Sequence, residues 1–346
     1  MVVIAEQGAD CGSASTSAPG ASRLRGLIAR RPITAFLMIA FALAYPLMAL
    51  PILASRGMIP GGSVPAALHI APDEMAGVLL TLGALVPATL IVTWCADGRA
   101  GVWRLVRRLA RWRVGAGWWL VLMVGLPVLT VGLALLMGDS LNTVDPLDMV
   151  FDQWRLLGLN FLLVNLWEEA AWAGFLQTRM ERRHNVFVAA LLTAVPFAFA
   201  HLPLALFADF TAGSLAASLL LYLILGVLVR PMLGVVLRGT RDSLFAVALL
   251  HSVFNRTNNE NGIAAQLLDG QTRSLTMLLG VLVLTAGTAI AFRHRLTRAV
   301  RVELDADDLP GGSLDRIRHR GRVNLSPQTS VASSPPSADA SERRPG

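Results

Sequence analysis

The chain has few charged residues and few cysteines, and it contains no lysine. Charged residues make up 15% of its 346 residues, whereas hydrophobic residues make up 54%. An ordinary soluble domain is about 25% charged, so this composition excludes that class. The two cysteines, Cys11 and Cys95, are too few for a disulfide framework or a metal site built from thiolates.

All 30 basic residues are arginines, and the formal net charge is +7. Such usage is typical of a GC-rich bacterial genome. A strongly basic chain can bind nucleic acid, but no segment resembles a nucleic-acid-binding module. The arginines lie between apolar segments, so we interpret the charge as a signal of membrane topology.

Long apolar runs with little or no charge make up most of the chain, and its mean hydropathy is +0.56. A helix needs about 20 apolar residues to cross a bilayer, and most of these runs reach that length. The sequence therefore predicts an all-α polytopic membrane protein of about eight transmembrane helices. The predicted spans are 35–54, 75–96, 117–138, 156–175, 186–207, 214–229, 243–255 and 274–292.

The segments between these spans alternate between arginine-rich and acidic. Cytoplasmic loops accumulate arginine, whereas translocated loops do not. Arginines cluster before the first span, in 99–113, 179–183 and 230–241, and after the last span, while aspartates and glutamates dominate the opposite loops. The pattern predicts a multi-pass protein of the bacterial inner membrane with both termini in the cytoplasm.

Three regions follow from this pattern. Residues 1–34 are predicted to form a disordered cytoplasmic tail, and residues 35–292 an eight-helix membrane domain. Residues 293–346 are first basic and then rich in serine and proline, with too few apolar residues to form a core. We predict that this last region is a second disordered cytoplasmic tail.

The basic loop 99–113 has a helical pattern of its own. Arg104, Arg107, Arg108 and Arg111 repeat at helical spacing, and Trp103 and Trp112 lie on other faces. The pattern predicts a helix in the membrane interface that faces anionic lipid. The alternative is a solvated basic loop that only obeys the charge rule.

Two adjacent carboxylates, Glu168 and Glu169, lie within the predicted fourth span. A charged group at bilayer depth costs several kcal/mol, so intramembrane carboxylates are usually functional. Neighbours on a helix are rotated by about 100°, so one carboxylate can face a polar cavity while the other bonds to a neighbouring helix. The structural alternative is that both pair with polar groups such as Asn165.

Two histidines lie in later spans. His201 is flanked by Pro196 and Pro203, which can bend the helix and free backbone groups. His251 and Asn255 are four residues apart and share a helix face, so both can donate to one oxygen. Glu168 and His251 fall at similar depths, whereas His201 is deeper and requires a tilted or kinked fifth helix to meet them. Alternatives are a core histidine at 201 and a helix-capping role for Asn255.

These residues form three motifs on successive predicted helices: Glu-Glu followed by Trp and Gly-Phe-Leu, then Phe-x-x-x-His, then His-x-x-x-Asn. In this order they resemble the CPBP family of CAAX prenyl protease type II and bacteriocin-processing intramembrane peptidases, over residues 99–255. The resemblance implies that Glu168 and His201 activate a water and that His251 and Asn255 stabilise the oxyanion. It also implies that Glu169 supports the site.

The substrate implied by this resemblance is a membrane-associated peptide or protein. The family's first motif usually reads Glu-Glu-x-x-x-Arg, but here Ala173 takes the place of the arginine. Arg230, at the cytoplasmic end of the predicted sixth span, is one candidate to substitute for this arginine, although the favoured interpretation is a snorkelling side chain that reaches the headgroups. Because of Ala173, an alternative function remains: an inactive family member that acts as a binding or immunity protein in the membrane.

The cofactor is left open by the sequence. Glu168, His201 and His251 match the two-histidine, one-glutamate ligand set of several catalytic zinc sites. The chain lacks the His-Glu-x-x-His helix that would indicate zinc directly, so zinc chemistry and metal-free glutamate chemistry both remain. A proton-coupled transporter is a further alternative, since Glu and His in neighbouring helices can relay protons, although no internal repeat supports it.

Overall fold

A bundle of helices accounts for almost all of the structure, a computed structural model that describes residues 19–67, 71–207 and 211–296. Helices α1 to α5 are Pro19–Arg30, Pro32–Ser55, Val64–Ala67, Pro72–Leu109 and Ala116–Leu136. Helix α6 covers 146–180, and α7, α8 and α9 are Val186–His201, Ala212–Gly239 and Leu244–Asn258. Helices α10 to α12 are Ile263–Leu267, Arg273–Ala291 and Arg293–Leu296. Leu202–Phe207 forms a 3₁₀ segment after α7.

The only sheet in the described ranges is a pair of two-residue strands. Strand β1 is Ser140–Leu141 and β2 is Leu268–Asp269, and they pair antiparallel with Ser140 opposite Asp269. The pair joins the loop after α5 to the end of α10.

Six of the helices are long and apolar enough to cross a membrane: α2, α4, α5, α7 with its 3₁₀ extension, α8 and α11. The predicted all-α polytopic fold is confirmed. The predicted fourth and seventh spans correspond to α6, which carries the acidic pair, and to α9, which has 15 residues. Neither is among the six, so the number of eight spans and the orientation of the termini stay predictions.

The helix limits differ from the predicted spans at two places. Helix α8 has 28 residues and extends ten residues beyond the predicted limit at 229, so its arginines belong to the helix. Helix α4 continues from the second span into the basic segment, with a kink at Gly98, where φ is 66° and ψ is −166°. Glycine adopts this left-handed region without steric cost.

Helix α1 corrects part of the predicted N-terminal tail. Pro19–Arg30 is helical and α2 begins at Pro32, so the predicted disorder of 1–34 is wrong from residue 19 onward. A short helix is marginal on its own, and α1 packs against α4, with Ile28 partly buried. Residues 1–18 and 297–346, which contain the rest of the two predicted tails, lie outside the described ranges.

The basic segment is helical to Leu109 rather than to residue 113. Arg104 and Arg107 are exposed, and the Arg107 guanidinium lies 5.6 Å from the centre of the Trp103 ring. Arg108 instead donates to the Gly174 carbonyl at 3.0 Å, and Arg111 donates to a backbone carbonyl of the α8–α9 loop. Two of the four arginines predicted to face lipid therefore connect helices within the protein.

Helix α6 lies between two apolar clusters. Ala170 and Ala173 belong to a cluster formed mainly with α5, α8, α9 and α11. Trp172 and Phe175 belong to a second cluster with α2 and α4. Residues 170–177 are therefore buried on every side, and the acidic pair at their start is enclosed with them.

Candidate active site

The acidic pair stands between two π-helical stretches of α6, Phe161–Asn165 and Ala170–Gln177. A π-helical turn takes an extra residue, so it changes the directions of neighbouring side chains, and such turns are frequent at functional sites. Glu168 and Glu169 are 3% and 0% exposed. Their nearest partners differ, as expected for adjacent helical residues, because Glu168 is closest to His201 and Glu169 is closest to Arg230 and His251.

Glu168 meets both predicted histidines. Its Oε1 lies 3.4 Å from Nε2 of His201, and its Oε2 lies 4.0 Å from Nδ1 of His251. Asn165, one turn earlier on α6, donates to the same Oε2 at 3.5 Å. Helix α7 contains Pro196 and changes to the 3₁₀ segment directly after His201, and a proline within a helix bends it. His201 therefore reaches Glu168, although the sequence places it deeper in the membrane.

The partners of His201 determine which of its ring nitrogens carries a proton. Its Nδ1 lies 2.8 Å from the Phe197 carbonyl oxygen, which can only accept a hydrogen bond. Nδ1 therefore donates, and in a neutral ring Nε2 is an acceptor that faces the Glu168 carboxylate. Two adjacent acceptors either share one proton or accept the two hydrogens of a water molecule. A pair of acceptors in this arrangement can hold a water and take a proton from it.

Glu169 lies against helices α8 and α9. Nη1 of Arg230 donates to its two carboxylate oxygens at 2.8 and 3.0 Å, and Nδ1 of His251 lies 2.8 Å from its Oε1. Arg230 is 0% exposed, so its interpretation as a snorkelling side chain is wrong. The error arose because α8 is longer than its predicted span, which puts Arg230 inside the helix rather than at its end.

The charges of this group nearly cancel. Two carboxylates and the Arg230 guanidinium leave one negative charge, and buried charges are tolerated only when they are compensated. One proton on His251, or shared by Glu168 and His201, completes the balance. With Nδ1 bonded to Glu169, a protonated His251 has an Nε2–H free to donate on its other side.

Asn255 lies one turn after His251 on α9 and is partly exposed. Its Nδ2 donates to the side-chain oxygens of Asn160 and Asn165, both at 3.4 Å. These bonds are long and their acceptors are neutral amides. A negatively charged oxygen placed near Nδ2 would be a stronger acceptor than either of them. Helix α9 continues to Asn258, so Asn255 does not cap the helix.

Phe197 contacts most of this group, as expected for a packing residue. Its ring centre lies 4.3 Å from that of His201, 6.3 Å from that of His251 and 5.8 Å from that of Trp172. The Arg230 guanidinium carbon lies 5.9 Å from it, within the range of a cation–π interaction. Phe197 therefore separates the two histidines and gives the site an apolar wall.

The structure also contains site residues that the sequence did not reveal as such. Arg230 is indicated by the sequence only through the less favoured of its two interpretations, and Gln177, which accepts from Nη2 of Arg230 at 3.2 Å, carries no signal because it follows the apolar run. Asn165 was considered only as a partner of the acidic pair, although it also accepts from Ser252 at 3.1 Å. Its position three residues before Glu168 was the available signal, since such residues are neighbours on a helix.

The predicted zinc ligands do not form a ready metal site. Within residues 19–67, 71–207 and 211–296, no three His, Cys, Asp or Glu side chains are grouped so that they could hold one ion. Nδ1 of His251 is bonded to Glu169 and lies 4.0 Å from Glu168. Glu168, His201 and His251 in this arrangement do not fit a zinc ligand set.

Comparison with known families identifies part of the chain. Residues 151–257 match the model of a family described as type II CAAX prenyl endopeptidase Rce1-like. The matched segment contains all five predicted site residues, and it confirms the resemblance to CPBP intramembrane peptidases. No curated protein matches the chain. The family match supports an intramembrane protease of the CAAX type in general.

Proposed function

We propose, on the premise that residues 151–257 form a segment like the type II CAAX prenyl endopeptidases, that the protein is an intramembrane endopeptidase with the five residues as its active site. Glu168 and His201 hold the attacking water, and His251 and Asn255 face the oxyanion. Glu169 supports His251. The observation that carries this proposal is the position of Glu168, whose two oxygens face ring nitrogens of His201 and His251 at 3.4 and 4.0 Å.

Attack begins from the water held by the two acceptors. The water oxygen bonds to the scissile carbonyl carbon while a water proton passes to Glu168. The negative charge that develops on the carbonyl oxygen accepts from Nε2–H of the protonated His251 and from the Asn255 amide. With the balancing proton placed on His251, this stabilisation requires no further proton movement.

Bond cleavage uses the same proton. Glu168 passes it to the departing amide nitrogen, the carbon–nitrogen bond breaks, and the products are a carboxylic acid and an amine. Glu168 is then a carboxylate again, so the site has its starting charge, and the product carboxylic acid loses its own proton to solvent after release.

The substrate is proposed as a peptide or protein segment held in the membrane. The site lies between helices that include long apolar spans, and Phe197 gives it an apolar wall. The name of the matched family refers to proteins with a prenylated C-terminal cysteine motif. A peptide with a prenylated cysteine and the same peptide without the prenyl group are therefore the first probes.

The test is cleavage of these two peptides and a panel of apolar peptides by the purified protein in detergent, with products identified by mass spectrometry. We expect cleavage by the wild type, and a loss of about 1,000-fold or more in Glu168→Gln and His251→Ala, since general-base and oxyanion contributions are each of order 10²–10⁴. Glu260→Gln is the matched control, because Glu260 is exposed in the loop after α9.

Each outcome decides a different part of the proposal. Cleavage that survives both substitutions would reject the assigned residues, and cleavage that a chelator abolishes would show a metal requirement. If no peptide is cleaved and proton flux appears in vesicles, the peptidase proposal gives way to the transporter. Binding of a peptide without cleavage would instead indicate an inactive family member.

A further inference from the structure

Arg230 is the charged member of this group that takes no part in the proposed reaction. It is fully buried within α8. Its guanidinium donates hydrogen bonds to two residues of α6, Glu169 and Gln177. Burying an arginine is costly unless it is paired and hydrogen-bonded. The pairing partner is not the proposed base, Glu168, but its neighbour Glu169, which contacts His251.

Arg230, Glu169 and His251 form a continuous line of charged hydrogen bonds. Nη1 of Arg230 reaches the two Glu169 oxygens at 2.8 and 3.0 Å, and one of those oxygens lies 2.8 Å from Nδ1 of His251. Bonds between ionised groups are short and directional. A carboxylate held at both oxygens cannot rotate freely, so the ring that it bonds is held as well.

We propose that Arg230 is a positioning residue of the active site, which acts through Glu169 to orient His251 toward the oxyanion. The expected effect of Arg230 on the reaction rate rests on the proposed peptidase function. The expected effect of Arg230 on the orientation of His251 does not. The role is comparable to an outer carboxylate that orients a functional histidine, with the arginine one step further out. Arg230 itself does not touch the reacting atoms.

The position of Ala173 explains how an arginine from α8 reaches this place. Glu169 and Gln177 both contact the guanidinium, and Ala173 lies midway between them on α6, four residues from each. Because the side chains on both sides of Ala173 contact Arg230, this side of the π-helical stretch faces α8. Because residue 173 has only a methyl group, the Arg230 side chain can occupy the space beside it. A large residue at 173 and the arginine at 230 are therefore alternatives.

Steady-state kinetics of single and double variants test this inference. Arg230→Ala is expected to lower kcat by about 100-fold, because a misplaced functional group costs about that factor. KM should change little. Adding Ala173→Arg to Arg230→Ala should recover most of kcat, because an arginine at position 173 can reach Glu169 from its own helix. Ala173→Arg alone should lower activity, since the two side chains would compete for the space.

Arg230→Ala leaves the Glu169 charge unpaired and can fail to fold, so Arg230→Lys is the second variant. It keeps the buried charge but lacks the planar pair of nitrogens that bond Glu169 and Gln177. We expect a folded protein with kcat between those of the wild type and Arg230→Ala. Wild-type kcat in a folded Arg230→Lys and no recovery in the double variant would overturn the proposal.

A direct view of His251 separates this inference from the peptidase proposal. The Nδ1 proton in a charged hydrogen bond to Glu169 should give a downfield NMR resonance, assigned by its loss in His251→Gln. Arg230→Lys should weaken or abolish that resonance, whether or not any peptide is cleaved. An unchanged resonance would reject the positioning role, whereas a lost resonance in a protein without peptidase activity would reject only the proposed reaction.

Discussion

At the scale of residues, the polar side chains of the site divide between two tasks. Glu168 faces the two histidines at 3.4 and 4.0 Å, whereas Glu169 is occupied by Arg230 and His251. The division follows from the helix itself, because adjacent side chains point in different directions. One carboxylate is thereby left for the proposed role of base, and the other has its charge compensated by an arginine.

Asn255 provides a residue-scale prediction about the oxyanion. A donor that acts only on the developing charge contributes to the transition state and not to substrate binding. Asn255→Ala should therefore lower kcat by about 100-fold, a typical loss for one oxyanion donor, with little change in KM. Steady-state kinetics on a cleaved peptide measure both constants.

The matched control for Asn255→Ala is Asn258→Ala, at the last residue of the same helix. Asn258 lies nearly one turn further from His251, so its removal should leave kcat unchanged. A rise in KM at constant kcat in Asn255→Ala would place Asn255 in substrate binding instead of the oxyanion site.

At the scale of elements, irregularities of the helices position the site. The acidic pair lies between two π-helical stretches of α6, and His201 lies at the junction of α7 with the 3₁₀ segment. Neither feature follows from hydrophobic periodicity, because an apolar run looks the same whichever helix type it forms. Tertiary packing decides between them.

Helix α4 carries the element-scale prediction. Arg104 and Arg107 are exposed beyond its kink at Gly98, next to the exposed ring of Trp103. Each arginine close to an anionic membrane surface contributes about 1 kcal/mol. The double variant Arg104→Ala/Arg107→Ala should therefore weaken phosphatidylglycerol binding by about 30-fold, measured by native mass spectrometry.

Arg155→Ala is the control for this lipid prediction, because Arg155 is exposed on α6 and distant in sequence from the basic segment. Its phosphatidylglycerol binding should equal that of the wild type. Equal losses in the control and in the double variant would show general electrostatic attraction and would contradict a lipid site on α4.

At the scale of the whole molecule, six helices among the described residues are long and apolar enough to cross a membrane, and α6 and α9, which carry most of the candidate site, are not among them. Helix α9 has only 15 residues, and polar residues such as Asn160, Asn165 and the acidic pair lower the hydropathy of α6. Both are covered by the apolar helices around them, which is how a membrane protein accommodates polar groups at depth.

Cysteine labelling tests whether α6 and α9 nevertheless span the membrane. Cys11 and Cys95 are first replaced, and one cysteine is then introduced at a time. The three positions are exposed and lie before α6, after α6 and after α9: Thr143, Arg183 and Glu260. Because α7 and α8 each cross, an α9 that spans puts positions 183 and 260 on opposite sides. An α6 that spans puts 143 and 183 on opposite sides.

A membrane-impermeant maleimide applied to oriented vesicles distinguishes these arrangements. If eight helices span, position 183 should be cytoplasmic and positions 143 and 260 should be on the other side, because arginine-rich loops remain in the cytoplasm. Labelling of 183 and 260 from the same side would reduce the number of spans and contradict the predicted topology.

The sequence by itself determined the class of the protein and indicated the five residues that we propose as its site. Apolar runs of bilayer length leave no alternative to a helical membrane protein, and carboxylates and histidines within such runs are conspicuous because lipid makes them costly. Only the tertiary structure decided which groups pair. The long-range contact of Arg230 with Glu169 joins residues 61 positions apart, and no local pattern of apolar and polar residues records such a contact.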